Sequence, residues 1–158
     1  MKVKEMMVAD TVVLRPEETV ADAVEKFAKH RISGCPVVDN QGRVIGIMTE
    51  TDILNSLKTH YKELKMRVPP ETIIGISFVE IIKKREAVEA FEEITNARVR
   101  DAMTRNVITA GPEDELEEVI QRMVESDVNR IPIVDESLLV GIVTRGDVIR
   151  AVQKSSLT

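Results

Sequence analysis

Apolar side chains at Val20, Ala23, Val24, Phe27 and Ala28 step i, i+3, i+4, i+7, i+8 and predict a helix with one buried stripe. The same steps return at Leu116, Val119, Ile120, Met123 and Val124. Each helix is followed by two short apolar runs, Cys35–Val38 with Val44–Met48, and Ile131–Val134 with Leu139–Val143. Turn formers separate them: Asp39-Asn40-Gln41-Gly42 in the first case and the shorter Asp135-Glu136-Ser137 in the second, so each pair reads as a β-hairpin. A strand is expected before each helix, at Thr11–Leu14 and Val107–Ala110, leading in through Pro16 or Pro112. A further helix opens at Thr49-Glu50-Thr51-Asp52 and at Thr144-Arg145-Gly146-Asp147. The pattern is one β-α-β-β-α unit written twice, an α/β (α+β) fold class.

Sliding the chain against itself confirms the duplication. At an offset of 96, Val3, Met7, Pro16, Glu17, Pro36, Val38 and Asp39 meet Val99, Met103, Pro112, Glu113, Pro132, Val134 and Asp135. The shorter second turn changes the offset to 95, and Gly46, Ile47, Thr49 and Asp52 then meet Gly141, Ile142, Thr144 and Asp147. A unit of about 55 residues buries little surface by itself, so the copies are expected to pack together. The organisation read here is a first repeat over 1–60, a partly helical insert over 61–97 and a second repeat over 98–158. In the insert Pro69-Pro70 breaks any preceding helix, and Ile81, Ile82, Val88, Phe91 and Ile94 predict a helix from about Phe78 to Asn96.

Composition removes several classes of function. Lys plus Arg against Asp plus Glu is 22 − 27 = −5, with no Trp and 3% aromatics, which suits neither phosphate-backbone grip nor base stacking. Nucleic acid is not expected as the main ligand. Lys83-Lys84-Arg85 is too short for a nucleic-acid patch, and the acidic run Glu113–Glu118 suits a helix start. No apolar run reaches the roughly 18 residues of a membrane span, and the opening residues lack a signal-peptide core, so a cytoplasmic location is expected. One cysteine, Cys35, in a buried-strand pattern, and two histidines, His30 and His60, make neither an internal disulfide nor a closed zinc site. No nucleophile with a base, paired acids or metal cluster stands out, so the chain does not read as an enzyme.

The two units resemble a tandem pair of CBS domains, the regulatory modules named after cystathionine β-synthase and paired as Bateman modules, of the stand-alone archaeal or bacterial type. The residues that carry the likeness are Gly34-Cys35-Pro36-Val37-Val38-Asp39, Val44-Ile45-Gly46-Ile47-Met48-Thr49 and Thr49-Glu50-Thr51-Asp52. Their counterparts are Arg130-Ile131-Pro132-Ile133-Val134-Asp135, Val140-Gly141-Ile142-Val143-Thr144 and Thr144-Arg145-Gly146-Asp147, with Val99-Arg100-Asp101-Ala102-Met103-Thr104 opening the second copy. The resemblance covers about 110 of the 158 residues. It implies a pseudo-twofold pair with two clefts for adenosine-containing ligands, AMP, ADP, ATP or S-adenosylmethionine, none of them a required cofactor. It further implies a homodimer and control of a partner protein, which here would be another chain.

On that likeness the expected ligand contacts in the first copy are Val12, Gly34, Cys35, Pro36, Thr49, Thr51 and Asp52. In the second copy they are Val107, Asn129, Arg130, Ile131, Pro132, Thr144, Arg145 and Asp147. The chemistry is plausible residue by residue. An Asp one turn into a helix can accept both ribose hydroxyls, and the Thr hydroxyl and free amides of that turn can face a phosphate. Arg130 and Arg145 add guanidinium forks, which favours the second copy for a phosphate. The first copy has Ser33-Gly34 and Glu50 instead, which suits an uncharged or cationic adenosyl compound, or no ligand at all. Thr-x-x-Asp is also a helix capping box, and a ligand-free dimerisation or scaffold module uses it in no other way.

Overall fold

The computed structural model describes residues 1–56, 92–93 and 95–156. Helix α1, Val20–His30, is followed by strands β1, Gly34–Val38, and β2, Val44–Thr49, and by helix α2 at residues 50–56. A short helix α3, Val99–Ala102, precedes α4, Leu116–Ser126, then β3, Arg130–Asp135, β4, Leu138–Thr144, and α5, Arg145–Ser155. These strands extend the expected runs by at most one residue at either end. Of the expected insert helix, residues 92–93 and 95–96 are described and are helical. Pro69-Pro70, Lys83-Lys84-Arg85, His60 and the insert's apolar positions before Thr95 lie outside the described residues.

Both hairpins are antiparallel and share one irregularity, a register shift at Val37/Val38 and at Ile133/Val134. Their turns reach that geometry differently. In the first, Asp39 Oδ1 accepts from the amides of Gln41 and Arg43, and Gly42 takes φ +81. The second turn, one residue shorter, places both Glu136 and Ser137 at positive φ, as a two-residue hairpin loop requires.

The strands expected at Thr11–Leu14 and Val107–Ala110 do not form; each contributes one parallel bridge, Leu14 to Val37 and Ala110 to Ile133. Proline is the reason. The Leu14 amide donates to the Pro36 carbonyl and the Val38 amide donates to the Leu14 carbonyl. Extending that parallel ladder backwards needs an N–H on Pro36, and extending it forwards needs one on Pro16; neither exists. Pro132 and Pro112 stop the second copy's bridge at Ala110 in the same way.

The hydrophobic cores cross over between the copies. The first gathers Leu14, Val20, Ala23, Phe27, Cys35, Val37 and Met48, and is completed by Val99 and Met103 from the segment that opens the second copy. The second gathers Ala110, Leu116, Val119, Met123, Ile131, Ile133, Val143 and Val148, and is completed by Val3 from the segment that opens the first. Backbone bonds seal the exchange. The Ile47 amide donates to the Thr104 carbonyl at 2.9 Å and the Thr104 amide returns to Ile47 at 2.8 Å, while Val8 and Ile142 exchange the matching pair. Both meeting strands need glycine where the crossing segment passes. A Cβ on Gly141 would lie 2.7 Å from Met7 Sδ and 3.1 Å from the Val8 carbonyl, and one on Gly46 would overlap Met103 Sδ.

The helical stripes are narrower than the periodicity suggests. Val20, Ala23 and Phe27 are buried in α1, but Val24 is 39% exposed; in α4 Val124 is 75% exposed. Leu54, Ile149 and Val152 are exposed on the neighbouring helices. No helix among the described residues is long and apolar enough to cross a membrane.

Two expectations follow from this packing. Val3→Ala and Val99→Ala should each lower unfolding free energy in denaturant titrations by roughly 2 kcal/mol, as core truncations do, although each residue lies outside the repeat whose core it fills. Burial pushes the Cys35 thiol up to about 12. At pH 8 its thiolate is therefore on the order of one part in ten thousand. A colorimetric thiol reagent should leave the folded chain unmodified and label it only after denaturation.

Candidate functional site

The crossover brings the two hairpins side by side and leaves hollows where α2 and α5 begin. Each of these helices starts with the same device. The Thr49 amide and hydroxyl donate to Asp52 Oδ2 at 2.8 and 3.0 Å, and the Asp52 amide donates back to Thr49 Oγ1 at 3.3 Å. Thr144 and Asp147 repeat this at 2.8, 2.7 and 3.3 Å. The capping reading of Thr-x-x-Asp is therefore realised in both copies.

The second carboxylate oxygens differ. Asp52 Oδ1 accepts from Thr104 Oγ1 at 2.8 Å, and Asp52 is half-buried. Thr104 stands where the other copy has Val8, which has no hydroxyl, and Asp147 Oδ1 is instead held by a salt bridge to Arg150. Asp147 is 8% exposed.

The first cleft, of about 420 Å³, lies between the copies. Thr49, Glu50, Thr51 and Asp52 come to it from one copy, and Val107, Ile108, Asn129 and Arg130 from the other. The structure thus joins the Thr-x-x-Asp turn of the first repeat to the strand entry of the second. Sequence order had grouped Asn129 and Arg130 with Asp147. A second hollow of about 400 Å³ holds Gly34, Thr144 and Arg145, and Asn129 and Arg130 border it too. Asp147 lines neither; it faces a third depression beside Met1, Met6 and Lys154.

Cys35, Pro36, Ile131 and Pro132 are buried in their strands beneath these hollows and line neither cleft. Val12 is half-buried and also lines neither. Thr104, Ile108 and Asp127 line the first cleft and were not among the ligand contacts expected from the sequence. The signal for Asp127 was its position, 96 residues after Arg31 at the end of the equivalent helix. Both adopt the left-handed conformation, at φ 51 and φ 53.

Arg130 reaches across the pseudo-twofold. Its guanidinium donates to Ser33 Oγ of the other copy. Burial pulls its pKa below the usual guanidinium value, opposed by the nearby carboxylates of Glu50 and Asp52. Its counterpart is Gly34, and a Cβ there would collide with the guanidinium and come 2.8 Å from the Met48 carbonyl. The missing side chain in one copy is the space that the arginine of the other fills. Among the described residues no group of three or more His, Cys, Asp or Glu is placed to hold a metal ion.

Comparison with known proteins agrees with this architecture. The chain is 36% identical over 153 residues to the uncharacterised protein MJ1426 of Methanocaldococcus jannaschii, covering 96% of this chain and 90% of that one. The CBS domain pair of protein MJ0100, solved in complex with 5′-methylthioadenosine and S-adenosyl-L-methionine, superposes with a TM-score of 0.72 at 23% identity, covering 98% of each chain. The protein CBSX2, solved in complex with AMP, superposes with a TM-score of 0.71 at 23% identity, also over 98% of each chain. The family model of the CBS domain matches residues 3–59 and again 99–154. With a helix–hairpin–helix unit present twice in one chain and both copies matched, the protein belongs to the CBS domain family as a tandem pair.

Proposed function

We propose that the chain is a regulatory module that binds an adenosine-containing ligand in the cleft between its repeats and reports occupancy to a partner protein. The observation that carries this is the joint lining of the first cleft, with a carboxylate from one copy and apolar side chains and a guanidinium from the other. Asp52 is suited to the ribose hydroxyls, because only its first oxygen is consumed by the cap and its second meets a single hydroxyl donor. Val107 and Ile108 offer an apolar wall for adenine. Among the described lining residues Glu50, Asp52 and Asp127 outnumber Arg130, which favours an uncharged or cationic adenosyl tail over a polyphosphate. The crystallised CBS pairs with AMP or with S-adenosylmethionine and methylthioadenosine support the ligand class.

Because both copies line the cleft, a ligand there favours one relative orientation of the repeats, which links occupancy to shape. Exposed Val24, Leu54, Val124, Ile149 and Val152 supply apolar helix faces for a second copy of the chain, and the module is read as a homodimer. It is a binding module rather than an enzyme on this reading. The scaffold alternative has one observation of its own: Asp147, buried, held by Arg150 and lining neither cleft, serves as a cap.

S-adenosylmethionine or methylthioadenosine, at about 100 times its dissociation constant, should add about 2.7 kcal/mol and raise the melting temperature by several degrees. Asp52→Asn should abolish that shift. Asp147→Ala should melt lower, by about 1 kcal/mol for a lost cap, and keep it. No shift across AMP, ADP, ATP, NADH and both sulfur compounds, with a chain shown free of co-purified ligand, would leave the scaffold reading. Small-angle scattering should give the mass of a dimer and a curve that changes on ligand addition; a monomer mass or superimposable curves would remove the homodimer or the linkage respectively.

A further inference from the structure

Asp52 and Asp147 hold the same place in the same cap, yet they do not offer the same acceptors. Asp52 Oδ2 takes two donors from Thr49, while Oδ1 takes one, from Thr104 Oγ1 at 2.8 Å. A carboxylate oxygen has two acceptor positions, so Oδ1 keeps one. Its donor is neutral, and among the described residues Asp52 forms no salt bridge. The negative charge therefore remains available for a strong hydrogen bond from a ligand hydroxyl. Asp147 differs on each count. Its second oxygen is salt-bridged to Arg150, where the first repeat has Asn55, and Val8 stands in the place of Thr104.

Thr104 is more than a donor. Its amide and carbonyl are both engaged by Ile47, at 2.8 and 2.9 Å, so the hydroxyl stands on a pinned backbone. With its proton given to Asp52, Thr104 Oγ1 keeps only lone pairs, and it is an acceptor in the cleft that both residues line. Two acceptors 2.8 Å apart, one charged and one neutral, thus stand side by side. The neighbouring hydroxyls of a ribose present two donors at a similar spacing. A sugar lacking either hydroxyl leaves one acceptor unanswered.

We propose that Asp52 Oδ1 and Thr104 Oγ1 together read a cis-diol, which makes Thr104 a specificity-determining residue that demands an intact ribose. The inference rests on the reading of the Asp52 cleft given above and adds the residue that tells ribose from deoxyribose. One ribose hydroxyl donates to Asp52 Oδ1 and its neighbour donates to Thr104 Oγ1. The two acceptors come from residues 52 positions apart. The diol therefore ties the first repeat to the crossing segment whose Val99 and Met103 complete the first core. The second repeat, with Val8 and the Asp147–Arg150 pair, lacks this pair of acceptors.

The probes are 5′-methylthioadenosine and its 2′-deoxy and 3′-deoxy derivatives, titrated calorimetrically into the full chain. The native chain should prefer the ribose compound over either derivative by about tenfold or more, because each derivative leaves an acceptor unpaired. Thr104→Val installs the side chain that the other repeat carries on the matching backbone pair, Val8 with Ile142, and its circular dichroism should be unchanged. This variant should bind 5′-methylthioadenosine about tenfold more weakly, and one of the two deoxy preferences should disappear. Thr104→Ser, which keeps the hydroxyl, should retain both preferences.

A role in folding alone would weaken all three compounds alike. Equal affinity of the native chain for the three, or a uniform loss in Thr104→Val, overturns the diol reading. If 5′-methylthioadenosine still binds in that case and Asp52→Asn abolishes it, the reading of the cleft stands without this inference. Binding of none of the three by a chain free of co-purified ligand removes both.

Discussion

The structure depends on an exchange: Val3 completes the core built by residues 110–148, and Val99 completes the core built by residues 14–48. Both are fully buried, and full burial of a valine is worth about 1.5–3 kcal/mol. The larger consequence is that neither repeat has a closed core without a segment from across the pseudo-twofold. Gly46 and Gly141 admit the crossing segments, and the backbone pairs Ile47 with Thr104 and Ile142 with Val8 lock them in place. The repeats therefore sit in one arrangement, with α2 and α5 opening on hollows that both copies line.

That arrangement also determines how function can be distributed. Thr104 reaches Asp52 because the crossing segment ends on β2, and Arg130 reaches Ser33 because Gly34 leaves it room. Two sequence-similar capping boxes thus acquire different surroundings. Asp52 faces a cleft with an apolar wall, while Asp147 is locked to Arg150. The near-symmetric frame gives its two hollows similar shapes, and the substitutions between the copies give their described linings unlike charges.

Much of the fold was legible because its signals are local. The helices follow from the spacing of Val20, Ala23 and Phe27 and of Leu116, Val119 and Met123; the hairpins follow from apolar runs broken by turn residues. The early strands at Thr11 and Val107 were misread because their residues suit a strand while the partner prolines do not. Pro16, Pro36, Pro112 and Pro132 were all visible, but which backbone faces which had to be known before their missing N–H groups meant anything. The exposed Val24 and Val124 were likewise periodic without being buried, because the stripe continues past the surface that the hairpin covers.

By itself the sequence determined the duplication, the element order, the helix caps and the residue types available for chemistry, since each rests on neighbours within a few positions. It did not determine the site. Asn129 and Arg130 lie near Thr144, Arg145 and Asp147 along the chain and border the hollow of Thr144 and Arg145, yet they line the cleft of Asp52 as well. Only the tertiary structure could make that assignment, because the cleft is closed by residues roughly 80 positions apart, and the crossing of Val3 and Val99 into opposite cores brings them together.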